Sequence, residues 1–204
     1  MFFVCLFVKQ KTRHFYLFSF HYIIEGTYFM FLNPKQIIAH THISPGMYIG
    51  VFEAYESFFP LEIARTLRDD GKLFCIGSNK DLLKKIFNDI TAQALHTVEI
   101  LSGNIETYNG TPLRDGSLDL VVMANVFFTI EQKQQTIKEA FRLLKKGGRV
   151  LFVEWLDSFG GIGPKSEHIV FQSDAIKLFE AESFELQKEI DAHRYHYALI
   201  FKKV

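Results

Sequence analysis

From Asn33 onward, apolar runs of strand length alternate with stretches of helical length. Asn33-Pro34 offers a cap and a first-turn proline for a short helix ending near His40, and Ser44-Pro45-Gly46 turns the chain into a first strand over residues 47–52. A helix over residues 58–67 follows, then an Asp69-Asp70-Gly71 turn and a short apolar strand over 72–76. Ser78 is placed to cap the next helix, in which Leu82, Leu83, Ile86 and Ile90 recur at helical spacing. Residues 98–101 read as a third strand. Residues 118–124 read as a fourth, apolar on both faces as a central parallel strand must be. Ile137, Ala140, Phe141 and Leu144 line one face of the following helix, with Lys145 and Lys146 in its last turn and Gly147-Gly148 as its stop. A fifth strand over 149–154, a Gly-rich loop over 159–164 and a helix beginning near Ser173 come next. Residues 184–190 and 195–202 form a closing pair, antiparallel because so few residues join them. The alternation predicts an α/β domain built on a doubly wound sheet, and no internal repeat is present.

The stretch RDGSLDLVVMANVFFTIEQKQQTIKEAFRLLKKGGRVLFVEW resembles the second half of a class I S-adenosylmethionine-dependent methyltransferase: fourth strand, helix, double glycine, fifth strand. The run Asp119-Leu120-Val121-Val122, followed by Ala140-Phe141-Arg142-Leu143-Leu144-Lys145-Lys146-Gly147-Gly148-Arg149, has that family's spacing. DAHRYHYALIFKK resembles the family's antiparallel final strand, and LNPKQIIAHTHISPGM its lead-in to the first strand. In tone the chain is similar to small bacterial enzymes akin to the ubiquinone and menaquinone C-methyltransferases. The resemblance implies a Rossmann-like seven-stranded sheet, mostly parallel with an antiparallel last strand, and helices on both faces. It also implies a division into a residue 1–30 extension and a methyltransferase-like domain over 31–204.

S-adenosylmethionine is the cofactor the resemblance implies, and most positions matching the family's contacts are substituted. After the first strand the family carries an acid and alternating glycines, since main chain must approach the cofactor's amino-acid tail closely. Counted from Pro45-Gly46, these positions are Val51 for the acid and Glu53, Tyr55 and Ser57 for the glycines. A register with Glu53 as the acid leaves Tyr55, Ser57 and Phe59 in the glycine places, so either register gives a bulkier floor. The acid that holds the ribose diol at the end of the second strand falls on Gly77, with Ser78 or Asn79 as weak substitutes. Where the family often has Gly-Asp for the adenine, this chain has Gly103-Asn104, whose carbonyl keeps an acceptor without the charge. Asn125 occupies the position that often faces the reacting methyl, although on general grounds such a residue more often caps the following helix.

Other side chains invite chemistry. Glu154, Trp155 and Asp157 follow the fifth strand and are placed to line an acceptor site, or Trp155 simply packs. His168 and His196 are candidate bases, although a lone histidine is usually satisfied locally. His40 and His42 lack further ligands for a metal, and the sequence assigns none. Gly160-Gly161-Ile162-Gly163 does not link a strand directly to a helix as a phosphate loop would, and reads as a lid segment.

Composition narrows the partners. With 23 basic and 23 acidic side chains the formal charge is zero, so nucleic acid is not an expected partner, and a small-molecule acceptor or a protein is. Residues 1–30 are strongly aromatic, and Lys9, Lys11, Arg13 and His14 interrupt their apolar runs below the ~20 residues of a transmembrane helix. They read as a poorly ordered extension with Met30 as a natural start, or as a docking arm. Cys5 and Cys75 have no metal-ligand spacing, which fits a reducing compartment and points to the cytoplasm. A dinucleotide-dependent reductase is excluded by the lack of a glycine fingerprint in the first loop. Two functions stay open: a methyltransferase with a diverged cofactor site, and a catalytically inactive relative serving as a binding module.

Overall fold

The computed structural model describes residues 32–68, 70–161 and 163–204, so the expectations for residues 1–30 lie outside the described residues. Asn33 caps helix α1 (Pro34–Ala39), its side chain accepting the Gln36 amide at 3.2 Å with Pro34 in the first turn. Strand β1 (Tyr48–Phe52), α2 (Phe58–Leu67), β2 (Lys72–Gly77), α3 (Lys80–Thr91) and β3 (Val98–Ser102) follow. Then come β4 (Leu118–Ala124), α4 (Lys133–Leu143), β5 (Leu144–Trp155), α5 (Gln172–Glu180), β6 (Phe184–Asp191) and β7 (His196–Lys203). All seven strands form one sheet in the order β3-β2-β1-β4-β5-β7-β6. Strands β1 to β5 pair in parallel, and β7 runs antiparallel to both β5 and β6. This is the expected Rossmann-like α/β class with its reversed last strand.

Period-two alternation divides the core between the two faces. Ile49, Val51, Leu120 and Val122 point to the face covered by Ile37, Ile63, Leu67, Ile86 and Ile90 of α1, α2 and α3. Phe52, Val121 and Met123 point to the other face, against Ile137, Ala140, Leu143 and Phe179 of α4 and α5. Cys75 belongs to the first cluster, and burial pushes its thiol up to about 12, so it serves as a core side chain.

Two local expectations are corrected. Helix α3 is capped by Asn79, whose side chain accepts the Leu82 amide at 3.1 Å; Ser78 lies one residue ahead of the cap. Helix α4 ends at Leu143, and Leu144 already belongs to β5, paired with Leu118. Lys145 therefore does not serve the helix end and reaches Asp119 at 2.7 Å. The carbonyls of Phe141 and Leu144 are taken up by the Lys203 ammonium, at 2.7 Å each.

Candidate functional site

The sheet order reverses between β1 and β4, so the loops leaving the carboxyl ends of these strands flank a crevice where ligands bind in open α/β sheets. Each loop begins with a non-glycine residue in the left-handed region, Glu53 at φ 41° and Asn125 at φ 53°. Such residues cost of order 1–3 kcal/mol of backbone strain and cluster at functional sites.

Glu53 continues the β1 ladder, donating its amide to the Ile76 carbonyl at 2.8 Å. Its side chain turns toward the end of β2, where Oε1 accepts the Ser78 amide at 2.6 Å. A Cβ on Gly77 would meet Glu53 Oε2 at 2.7 Å and Cδ at 2.9 Å, so this glycine leaves room for the carboxylate of the neighbouring strand. Val51, by contrast, lies within β1 between Cys75 and Val122, 1% exposed, and cannot line the crevice. Glu53, and not Val51, therefore stands at the carboxyl end of the strand.

Tyr55 spans the crevice. Its ring packs against the cluster on the α4 and α5 face, and its hydroxyl lies 3.0 Å from Oγ1 of Thr129, on the loop after β4. Ser57 stands at the start of α2 and donates its hydroxyl to Asp89 of α3, which makes it a brace between helices. Asn104 closes a local turn, its side-chain carbonyl accepting the Glu106 amide at 2.9 Å. Glu106 in turn accepts the Glu131 and Gln132 amides at 2.8 and 2.7 Å, ahead of α4.

Asn125 caps no helix. Its Nδ2 lies 3.1 Å from His196 Nε2, and its Oδ1 is buried without a hydrogen-bond partner among the described residues. His196, 3% exposed, packs its ring 4.2 Å from that of Trp155. A Cβ on Gly163 would meet the Trp155 ring at 2.7 Å, so this glycine lies directly against the indole. Glu154 is fully buried and accepts the Phe127 amide at 2.6 Å, tying the turn after β4 to the end of β5. Burial pushes its carboxyl up to about 7, against the lowering effect of amides of Phe127, Trp155, Phe128 and Val126. It holds the turn from within and lines no open surface. Asp157 accepts its neighbour's amide at 2.7 Å, and His168 is exposed 3.5 Å from Glu167. His40 lies 3.0 Å from the Lys188 ammonium, and no group of His, Cys, Asp or Glu among the described residues is arranged to hold a metal.

The crevice is acidic. Burial raises the Tyr55 phenol, its bond to Thr129 opposes this, and the charges of Glu53, Glu106 and Glu154 raise it further. Burial likewise raises the Glu53 carboxyl, the bonds from Ser78 lower it, and Glu106 raises it. Lys133 is a nearby cation: burial lowers its ammonium, Glu154 and Glu106 raise it, and it donates to the Ile130 carbonyl at 2.6 Å. Of these residues, Glu106 and Thr129 carried no motif signal, since only the fold brings them beside Tyr55.

A family model described as a methyltransferase domain matches residues 78–152. A SAM-dependent methyltransferase from Aquifex aeolicus superposes with a TM-score of 0.79 at 16% identity, over 87% of this chain and 93% of that one. The fold of this chain is that of the class I methyltransferases, with the family match confined to residues 78–152. A putative type 11 methyltransferase from Sulfolobus solfataricus is similar with a TM-score of 0.70 at 23% identity, over 85% and 94% of the two chains. The [4+2]-cyclase SpnF is similar too, with a TM-score of 0.70 at 15% identity over 83% and 79%.

Tested against S-adenosylmethionine, the domain fits the nucleoside end: the Glu53 carboxylate stands beside the end of β2, and Asn125 holds a buried acceptor beyond β4 with no partner among the described residues. At the amino-acid end the Tyr55 side chain crosses the crevice where the family has glycines. No helix among the described residues is long and apolar enough to cross a membrane.

Proposed function

We propose that this methyltransferase domain binds S-adenosylmethionine in the crevice between β1 and β4 and transfers its methyl group to a small-molecule acceptor in the cytoplasm. The observation that carries this reading is the Glu53 carboxylate, held by the Ser78 amide at the carboxyl end of β1, at the point where the sheet order reverses, with Glu106 raising its proton affinity. Crowded carboxylates raise one another's proton affinity, and a cation among them relieves that repulsion. When bound, the cofactor supplies an electrophilic methyl group on a cationic sulfur. Glu53 and Glu106 offer the negative field that favours such a charge, and Lys133 limits it from the side of α4. Asn125, held by its contact with His196, keeps a buried side-chain carbonyl without a partner among the described residues, an acceptor for a donor on the substrate or the cofactor. Rate would come chiefly from holding donor and acceptor in line, since effective molarities of well-oriented groups are large.

A second reading, a catalytically inactive domain that binds a protein partner, is favoured by the Tyr55–Thr129 bond, which bridges the crevice. The fold does not choose between them, since a similar structure is a [4+2]-cyclase. Isothermal titration of the purified chain with S-adenosylmethionine separates the two. Heat of binding with a micromolar dissociation constant is the expected result, and silence at millimolar cofactor would leave only the binding module.

A further inference from the structure

We propose that Glu53, at the end of β1, is the acceptor for the vicinal diol of the cofactor's ribose, the task that the family's pattern gives to an acid on β2. The inference rests on the reading that the crevice holds S-adenosylmethionine, and it names a residue of that site which motif position assigns elsewhere. The ideal Cβ of residue 77 would lie 2.7 Å from Glu53 Oε2, 2.9 Å from Cδ and 3.1 Å from Oε1. An acidic side chain on residue 77 would carry its carboxyl carbon one C–C bond, about 1.5 Å, beyond that Cβ. The carboxylate of Glu53 and that of a residue-77 acid would therefore compete for one volume. Gly77 is the counterpart of a carboxylate that has changed strands.

Orientation supports the exchange. Oε1 is fixed by the Ser78 amide at 2.6 Å, just ahead of the Asn79 cap of α3. A carboxylate offers about four lone-pair sites, so acceptor capacity remains for two hydroxyls. The backbone points the same way. Glu53 sits at φ 41°, where glycine is unstrained and a side chain is not. An acid kept at a strained position, and aimed at a neighbouring strand's glycine, has a use for its carboxylate.

The test is calorimetric titration of the full chain with S-adenosylhomocysteine and with its 2′-deoxy analogue, for the wild type, Glu53→Gln, and the exchanged pair Glu53→Ala with Gly77→Asp. The wild type is expected to prefer the ribo compound by about tenfold or more, the loss of one charge-assisted hydrogen bond. Glu53→Gln is expected to lose most of that preference, and the exchanged pair to regain it. Equal affinity of the wild type for both compounds, or an unchanged preference in Glu53→Gln, would overturn the assignment while leaving cofactor binding intact. A pair that stays indifferent would make Glu53 a brace for α3 and overturn it likewise. Silence of the wild type toward S-adenosylhomocysteine would overturn the proposed function and this assignment with it.

Discussion

Glu154 carries the most informative single side chain for solution work, because its carboxyl is wholly buried and pushed up to about 7 from an ordinary 4.5. Between those values the folded chain holds a proton that the unfolded chain has released. Stability therefore falls as pH rises through this window and levels off above it, by an amount on the order of 3 kcal/mol. Glu154→Gln is expected to remove most of this slope in urea unfolding followed between about pH 5 and about pH 7.5. A variant whose slope matches the wild type would place the titration in another group. The residue also shows what a sequence withholds. A glutamate at a strand end reads as a polar residue facing a ligand, and only the turn over Val126, Phe127 and Phe128 folding back onto it makes it an internal anchor. Asn125 is a similar case, since its place after β4 was legible from spacing while its contact with His196 depends on β7 lying beside β5.

Among the elements, α4 does more than cover the sheet. Glu139, wholly buried, accepts the Asn109 amide at 2.6 Å and the Thr111 amide at 3.1 Å, and Thr111 adds its hydroxyl at 2.6 Å. Arg142, one turn on, donates to Glu139, to the Leu113 carbonyl at 2.9 Å and to Asp115 at 2.6 Å. The helix thereby pins the long connection from β3 to β4, which carries Asn104 and Glu106. Arg142→Met would leave the Glu139 carboxylate buried without its cation, a loss expected to cost about 3–5 kcal/mol in urea unfolding. A cost below about 1 kcal/mol would class the pair with exposed bridges. The apolar stripe of α4 was readable from its period, whereas its end was not. Leu143 and Leu144 look alike in a helical pattern, and the boundary falls between them because Leu118 pairs with Leu144 and Lys203 closes the last carbonyls.

For the molecule as a whole, strand and helix order follow from local periodicity, and with the short β6–β7 connection they dictate the reversed last strand and the switch point between β1 and β4. The site depends instead on side chains that cross between elements, as Glu53 does to β2 and Tyr55 to the loop after β4, and motif counting does not see them. Those two crossings make opposite claims about a ligand: one supplies an acceptor, the other occupies the crevice. If the Tyr55 bridge is the obstacle, Tyr55→Gly should weaken the empty domain and tighten its hold on S-adenosylmethionine. Losing a half-buried aromatic ring should lower the unfolding temperature of the free protein, as large-to-small substitutions in packed sites do. Added cofactor should then raise it more than in the wild type. A ligand at a hundred times its dissociation constant adds about 2.7 kcal/mol. For a domain of this size that is a rise of roughly 5–11 °C, at about 2–4 °C per kcal/mol. A Tyr55→Gly protein that unfolds earlier but gains no more from cofactor than the wild type would mean that the ring is a wall of the site and leaves the sulfonium its room.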